Sequence, residues 1–100
     1  MCGAVAGGPA LPANVDVGKE AIIQGIVTRA GVPVPNAYVR LLDRSGEFTA
    51  EVPTSATGQF RFFAGPGNWT LRTLAPGAQA DRSVVATLGS IAEVEVVLPA

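Results

Sequence analysis

The sequence contains no histidine and a single cysteine, Cys2. Without histidine, the commonest general base and the commonest metal ligand are both missing. No Ser-His or Cys-His pair can form, and no histidine-based zinc site. One cysteine cannot close an internal disulfide, and an unstapled β domain fits a reducing compartment. Charge is sparse as well: seven basic and eight acidic residues leave a net charge of −1. The six arginines are scattered singly from Arg29 to Arg82, a spacing expected of solvated strand faces. No basic stretch is available to track phosphates, so nucleic acid is not an expected partner. Long apolar runs are missing too, because charged or turn residues interrupt each one before the ~18 residues a membrane helix needs. The N-terminal residues show neither the basic region nor the apolar segment of a secretion signal, and the cytoplasm is the expected location.

What is present is apolar. Hydrophobic residues make up 48% of the chain, too many for a disordered composition. One hundred residues suffice for one domain with a modest core. Residues 1–19 are rich in glycine and proline and show no period, so they read as a flexible tail carrying Cys2. Leu11, Val15 and Val17 offer anchors for its second half.

Residues 20–100 read as a β domain. Ile23, Gly25 and Val27 share one face of a first strand, and Gly31 to Asn36 form a turn whose prolines cannot donate to a ladder. Ala37, Val39 and Leu41 alternate with Tyr38, Arg40 and Leu42. After Asp43–Gly46 the period of two resumes at Phe48, Ala50 and Val52, then at Phe60 and Phe62, then at Trp69, Leu71 and Thr73. A weaker strand covers Asp81 to Leu88, and Val94, Val96 and Leu98 close the chain. About seven short strands with a turn every ~8–12 residues predict an all-β, seven-stranded antiparallel sandwich. The expected core is Ile23, Val27, Ala37, Val39, Leu41, Phe48, Val52, Phe60, Phe62, Trp69, Leu71, Val94 and Val96.

The strings Ile23-x-Gly25-x-Val27, Gly31-x-Pro33-Val34-x-x-Ala37-x-Val39-x-Leu41, Thr57-Gly58-x-Phe60-x-Phe62 and Gly67-x-Trp69-x-Leu71 resemble the carboxypeptidase regulatory-like domain. That resemblance implies a transthyretin-like sandwich. It extends over about residues 21–74 and touches only an accessory domain, which lacks the zinc ligands of the peptidase. Beside it, the Thr57-Gly58 turn lets the chain reverse before the Phe60-x-Phe62 strand, and Gly67 allows a conformation that side chains resist. The whole chain, with its Met-Cys start and the strings Val39–Asp43, Glu47–Val52 and Phe60–Ala64, is similar to a small actinobacterial family of unknown function. That family is associated by name with sulfur metabolism, beside thiosulfate sulfurtransferases of the rhodanese type. The resemblance implies a sulfur-related role and such an enzyme as partner.

Cys2 is the one residue singled out for chemistry. With Met1 removed it would carry a free amine beside its thiol, and a nearby ammonium favours the thiolate. A thiolate attacks a persulfide sulfur as it attacks a disulfide. A flexible 18-residue tail spans roughly 20–25 Å, enough to enter a partner's active site. The other reading is a cysteine without a role. Asp43, Glu47 and Glu51 lie close in sequence but lack the ligand spacing of a calcium loop, and no metal or cofactor is expected.

Tyr38, Leu42, Phe63, Leu74 and Val97 are apolar residues at positions that should face outward. They are candidates for one exposed patch, for a partner protein or for a second copy in a homodimer. Cover by the tail, or single scattered residues, are the alternatives. The expectation is a non-catalytic accessory protein of sulfur metabolism, with Cys2 as a persulfide carrier. An adaptor module in which Cys2 has no role is the alternative, and a small-molecule binder in a dimer groove is a third.

Overall fold

The computed structural model describes the backbone of residues 3–6 and all of residues 21–100. The described residues form nine strands and no helix: β1 (Gly3–Ala6), β2 (Ala21–Arg29), β3 (Val32–Pro33), β4 (Tyr38–Leu42), β5 (Phe48–Pro53), β6 (Gln59–Ala64), β7 (Gly67–Ala75), β8 (Ala78–Ala86) and β9 (Ile91–Leu98). The strands beyond the expected seven are β1 and β3. Residues read as a loose tail supply β1, which pairs antiparallel with β6, Gly3 opposite Phe63 and Ala6 opposite Phe60. Cys2 itself lies outside the described residues. Residues read as a turn supply β3. Ala30 and Gly31 both have positive φ, 52° and 78°, which closes a two-residue hairpin between Arg29 and Val32. Pro33 is tolerated because this strand is short and lies beside β2 for two residues only.

Two sheets result. Sheet A holds β1, β6, β2, β3 and β9, with β6 and β3 along one side of β2 and β9 along the other. Sheet B runs β5-β4-β7-β8. Every pair is antiparallel except β2 and β9, which run parallel from Ile22 opposite Ile91 to Arg29 opposite Leu98. The all-antiparallel expectation fails there because β9 is not a hairpin return. The chain leaves sheet B at the end of β8 and enters sheet A in the direction of β2.

Alternation does the rest. Ile23, Val27, Phe60, Phe62 and Val96 of sheet A meet Val39, Leu41, Val52, Leu71 and Val84 of sheet B in one core. Phe60 and Phe62 stack at a tilt, with ring centroids 6.1 Å apart. Each such side chain contributes about 1.5–3 kcal/mol by leaving water. Two glycines are required by this packing. A Cβ on Gly25 would fall on the Val94 carbonyl of β9 and within 3.0 Å of the Phe60 ring. Gly58 has φ +76°, and a Cβ there would sit 2.8 Å from the Val27 carbonyl oxygen. Gly67, with φ +137°, also takes the conformation expected of it.

The predicted core needs corrections. Phe48 is 62% exposed. Leu41 pairs with Ala50 but Leu42 pairs with Phe48, so Thr49 is an extra residue. That bulge shifts the alternation by one and turns Phe48 to the outer face. Trp69 and Val94 are only half-buried. Arg61, expected on a solvated face, is 1% exposed. It lies on the outer face of sheet A, where its Nε donates to Gln24 Oε1 at 3.0 Å, and Gln24 Nε2 donates to Glu93 Oε1 at 3.1 Å. Ile22, on the same face, is fully buried.

Side chains also fasten two loops. Thr54 Oγ1 accepts from the Ala37 amide at 2.9 Å and donates to the Val34 carbonyl at 2.6 Å, which ties the β3–β4 connection to the end of β5. In the β4–β5 turn, Asp43 Oδ1 accepts from the Ser45 hydroxyl and from the amides of Ser45 and Glu47. The Ser45 hydroxyl bond above all, with the Glu47 amide next, holds the Asp43 carboxyl below its ordinary 3.8.

Three stability measurements test this account. Gly25→Ala should lower the unfolding free energy by about 3 kcal/mol or more in urea titration, because backbone must move to admit a methyl. Thr73 is fully buried between Val39 and Ala80 of its neighbouring strands, and its Oγ1 has no hydrogen-bond partner. Thr73→Val keeps the shape and removes the stranded hydroxyl. It should stabilise by about 1 kcal/mol, a rise in Tm of roughly 4–8 °C. A depressed carboxyl pKa adds stability above the unfolded value and loses it as pH falls through the folded one. Stability should therefore decline from about pH 4 downward, and Asp43→Ala should be weaker at neutral pH with a flatter acid limb.

Candidate functional site

The two outer faces differ in kind. On sheet A, Ile22, Gln24 and Arg61 are buried, and the polar row Arg61–Gln24–Glu93 is internally hydrogen-bonded. On sheet B the outer face is open, and its strands present side chains in registered rows.

The first row pairs Tyr38 of β4 with Leu74 of β7. Tyr38 is 52% exposed and Leu74 is half-buried. With Asn36, Ala75 and Pro76 they line a shallow groove of about 290 Å³. The groove lies near the end of the sandwich where Arg29 Nη1 donates to the Pro76 carbonyl at 3.1 Å.

The second row is charged. Glu51 faces Arg40, Arg40 faces Arg72, and Arg72 faces Asp81. The order is minus, plus, plus, minus. Like charges directly opposite repel. Each guanidinium turns to its own carboxylate instead: Arg40 Nε reaches Glu51 Oε2 at 2.7 Å, while Arg72 Nε and Nη2 reach the two oxygens of Asp81 at 3.1 Å each. The bidentate hydrogen bond that Arg72 donates to Asp81, then the Asp81 charge, raises the Arg72 pKa above its ordinary value. All four groups are largely solvated, so the pairs organise the face more than they stabilise the fold.

The third region opens toward the far end of β7. Arg44, Asn68, Trp69, Thr70, Ser83, Val84 and Val85 line a groove of about 510 Å³. Thr70 lies opposite Ser83 and Asn68 opposite Val85.

The five apolar candidates do not gather into one patch. Tyr38 and Leu74 are neighbours on sheet B. Leu42, on the same face, is only 6% exposed, enclosed between its cross-strand neighbours Phe48 and Thr70. Phe63, half-buried, and Val97, 59% exposed, belong to the outer face of sheet A. Asp43 and Glu51 are engaged with Ser45 and Arg40, and no cluster of three metal-ligating side chains occurs among the described residues. Sequence alternation already places Arg40, Glu51, Arg72 and Asp81 outward, but only the strand register puts them in one row.

Comparison with known proteins follows the whole chain. Residues 2–98 match a family described as protein of unknown function, DUF1416. Among similar proteins, Rv0814c and Rv3118 of Mycobacterium tuberculosis, both described as uncharacterised, are each 52% identical over 97 residues, covering 96% of this chain and 97% of theirs. An uncharacterised protein of Mycolicibacterium smegmatis is 52% identical over 87 residues, covering 86% of this chain and 97% of its own. An all-β chain of this length, matched nearly end to end, belongs to the DUF1416 family.

Proposed function

We propose that this protein is a non-catalytic accessory protein of sulfur metabolism, which docks on a cytoplasmic thiosulfate sulfurtransferase of the rhodanese type and accepts sulfane sulfur on Cys2. The observation that carries the docking half is the exposed Tyr38 beside half-buried Leu74 and their groove, bordered by the Arg40–Arg72 row. An aromatic anchor next to a guanidinium is the composition that protein interfaces favour. The resemblance to sulfurtransferase-associated proteins supports the choice of partner, and the transthyretin-like sandwich is its rigid scaffold.

Cys2 supports the carrier half. It directly precedes β1, whose backbone lies near β5, the neighbour of the strand that bears Tyr38. The chemistry needs no outside oxidant. The Cys2 thiolate attacks the outer sulfur of the enzyme's persulfide, a new S–S bond forms on Cys2, and the enzyme cysteine leaves as thiolate. An adaptor in which Cys2 has no role uses the same docking face.

Intact-protein mass spectrometry after incubation with the enzyme and thiosulfate separates the readings. One added sulfur atom is expected, removable by reductant and never acquired by Cys2→Ser. The double variant Tyr38→Asp, Leu74→Asp should keep its fold and bind the enzyme at least tenfold more weakly. A free, unmodified Cys2 with binding retained would leave the adaptor alone. If the enzyme fails to bind at all, the carrier reading falls, and sedimentation of the isolated protein then shows whether a second copy takes the face.

A further inference from the structure

The groove at the far end of sheet B carries an inference independent of the docking reading. Among the described residues, five arginines have partners: Arg29 with Pro76, Arg40 with Glu51, Arg61 with Gln24, Arg72 with Asp81 and Arg82 with the Glu95 carbonyl. Arg44 has none, and it lines the 510 Å³ groove. Among the described residues no carboxylate lines that groove. Asp43, beside Arg44, accepts from its own turn, Asp81 pairs with Arg72, and Glu47 lies in the same turn as Arg44 but outside the groove's lining. The Arg44 guanidinium therefore makes no ion pair among the described residues and is open to an anion.

The remaining lining completes a donor set. Thr70 and Ser83 face each other across β7 and β8, and Asn68 lies two residues along β7. Neither their hydroxyls nor the Asn68 amide is taken up in a bond to another described side chain or backbone group. A guanidinium offers five N–H donors in a planar fork. Two hydroxyls and an amide approach the same space from strands rather than from the turn that carries Arg44. Donors arriving from several directions suit a tetrahedral oxyanion, whose oxygens point apart. Val85, opposite Asn68 and 62% exposed, adds apolar surface to the same groove. The volume lies within the range of small-molecule sites, roughly 300–1,000 Å³.

We propose that the groove between the β4–β5 turn and strands β7–β8 binds a phosphate or sulfate monoester, with Arg44, Asn68, Thr70 and Ser83 holding the oxyanion and the exposed Val85 contacting an apolar body. The occupied face is the Arg44 end of sheet B, separated from Tyr38 and Leu74 by the charged row, so the site stands whether or not a partner protein docks there.

Titration of the full chain, labelled with ¹⁵N, tests the site with phenyl phosphate as the probe. Saturable shifts are expected at the Asn68 side-chain amide and at the Ser83 and Val85 backbone amides, with half-saturation in the low millimolar range or below. Arg44 is exposed in a turn, so Arg44→Gln should leave the fold and Tm unchanged and weaken binding at least tenfold. Ser83→Ala should weaken it about threefold. Phenyl sulfate should bind comparably. Inorganic phosphate should bind less tightly, which distinguishes an ester from the free ion. Absence of saturable shifts overturns the proposal, as does binding of benzyl alcohol equal to that of phenyl phosphate, or binding unchanged by Arg44→Gln.

Discussion

Strand β2 is the constraint on which the rest of the structure depends. It is hydrogen-bonded along both edges, to β6 and β3 on one side and to β9 on the other, and it is buried on both faces along most of its length. Its inward residues Ile23 and Val27 seat the core, and its outward Gln24 links β6 to β9 through Arg61 and Glu93. Gly25 lets the Val94 backbone approach on one flank while the Phe60 ring closes over it. A side chain there would push β9 away, and the core residues Val96 and Leu98 would move with it. Sheet B depends on the same strand indirectly, since its inner residues Val39, Leu41 and Leu71 share one core with Ile23 and Val27.

Much of this was legible from alternation alone. Val39 and Leu41, Phe60 and Phe62, and Leu71 all point where a period of two places them, because each lies mid-strand with one face on the core. Legibility stopped where a residue's face depends on its neighbour strand. The bulge opposite Leu41 and Leu42 turned Phe48 outward, and nothing in the run Phe48–Val52 announces it. Arg61 follows the outward parity and is nonetheless buried, because burial on an outer face depends on tertiary cover and not on periodicity. The parallel entry of β9 was hidden for the same reason: alternation is identical in parallel and antiparallel strands.

The site shows the same division. Tyr38 and Leu74 were readable as outward apolar residues, but their adjacency is a fact of register between strands far apart in the chain. Phe63 and Val97 carried the same signal and lie on the opposite sheet. The charged row was invisible as a row, since its four members come from four strands. Arg44 looked like any turn arginine until the pairing of Thr70 with Ser83 placed two hydroxyls beside it.

The asymmetry between the two sheets narrows where recognition can occur. Sheet A spends its outward polar groups on one another: Arg61 on Gln24, Gln24 on Glu93, Thr28 on Glu95. Groups satisfied in this way gain little from a ligand, since binding must first break an existing bond. Sheet B holds its central arginines apart by giving each a carboxylate at the sheet's edge, which leaves solvated charge in the middle of an open face. Beyond that row, the donors near Arg44 have no partner among the described residues and face solvent. Water at exposed donors is displaced at lower cost than an internal hydrogen bond is broken. The open groups of sheet B therefore fall into an apolar end at Tyr38 and Leu74, a donor-rich end at Arg44, and a charged row that keeps the two chemically distinct.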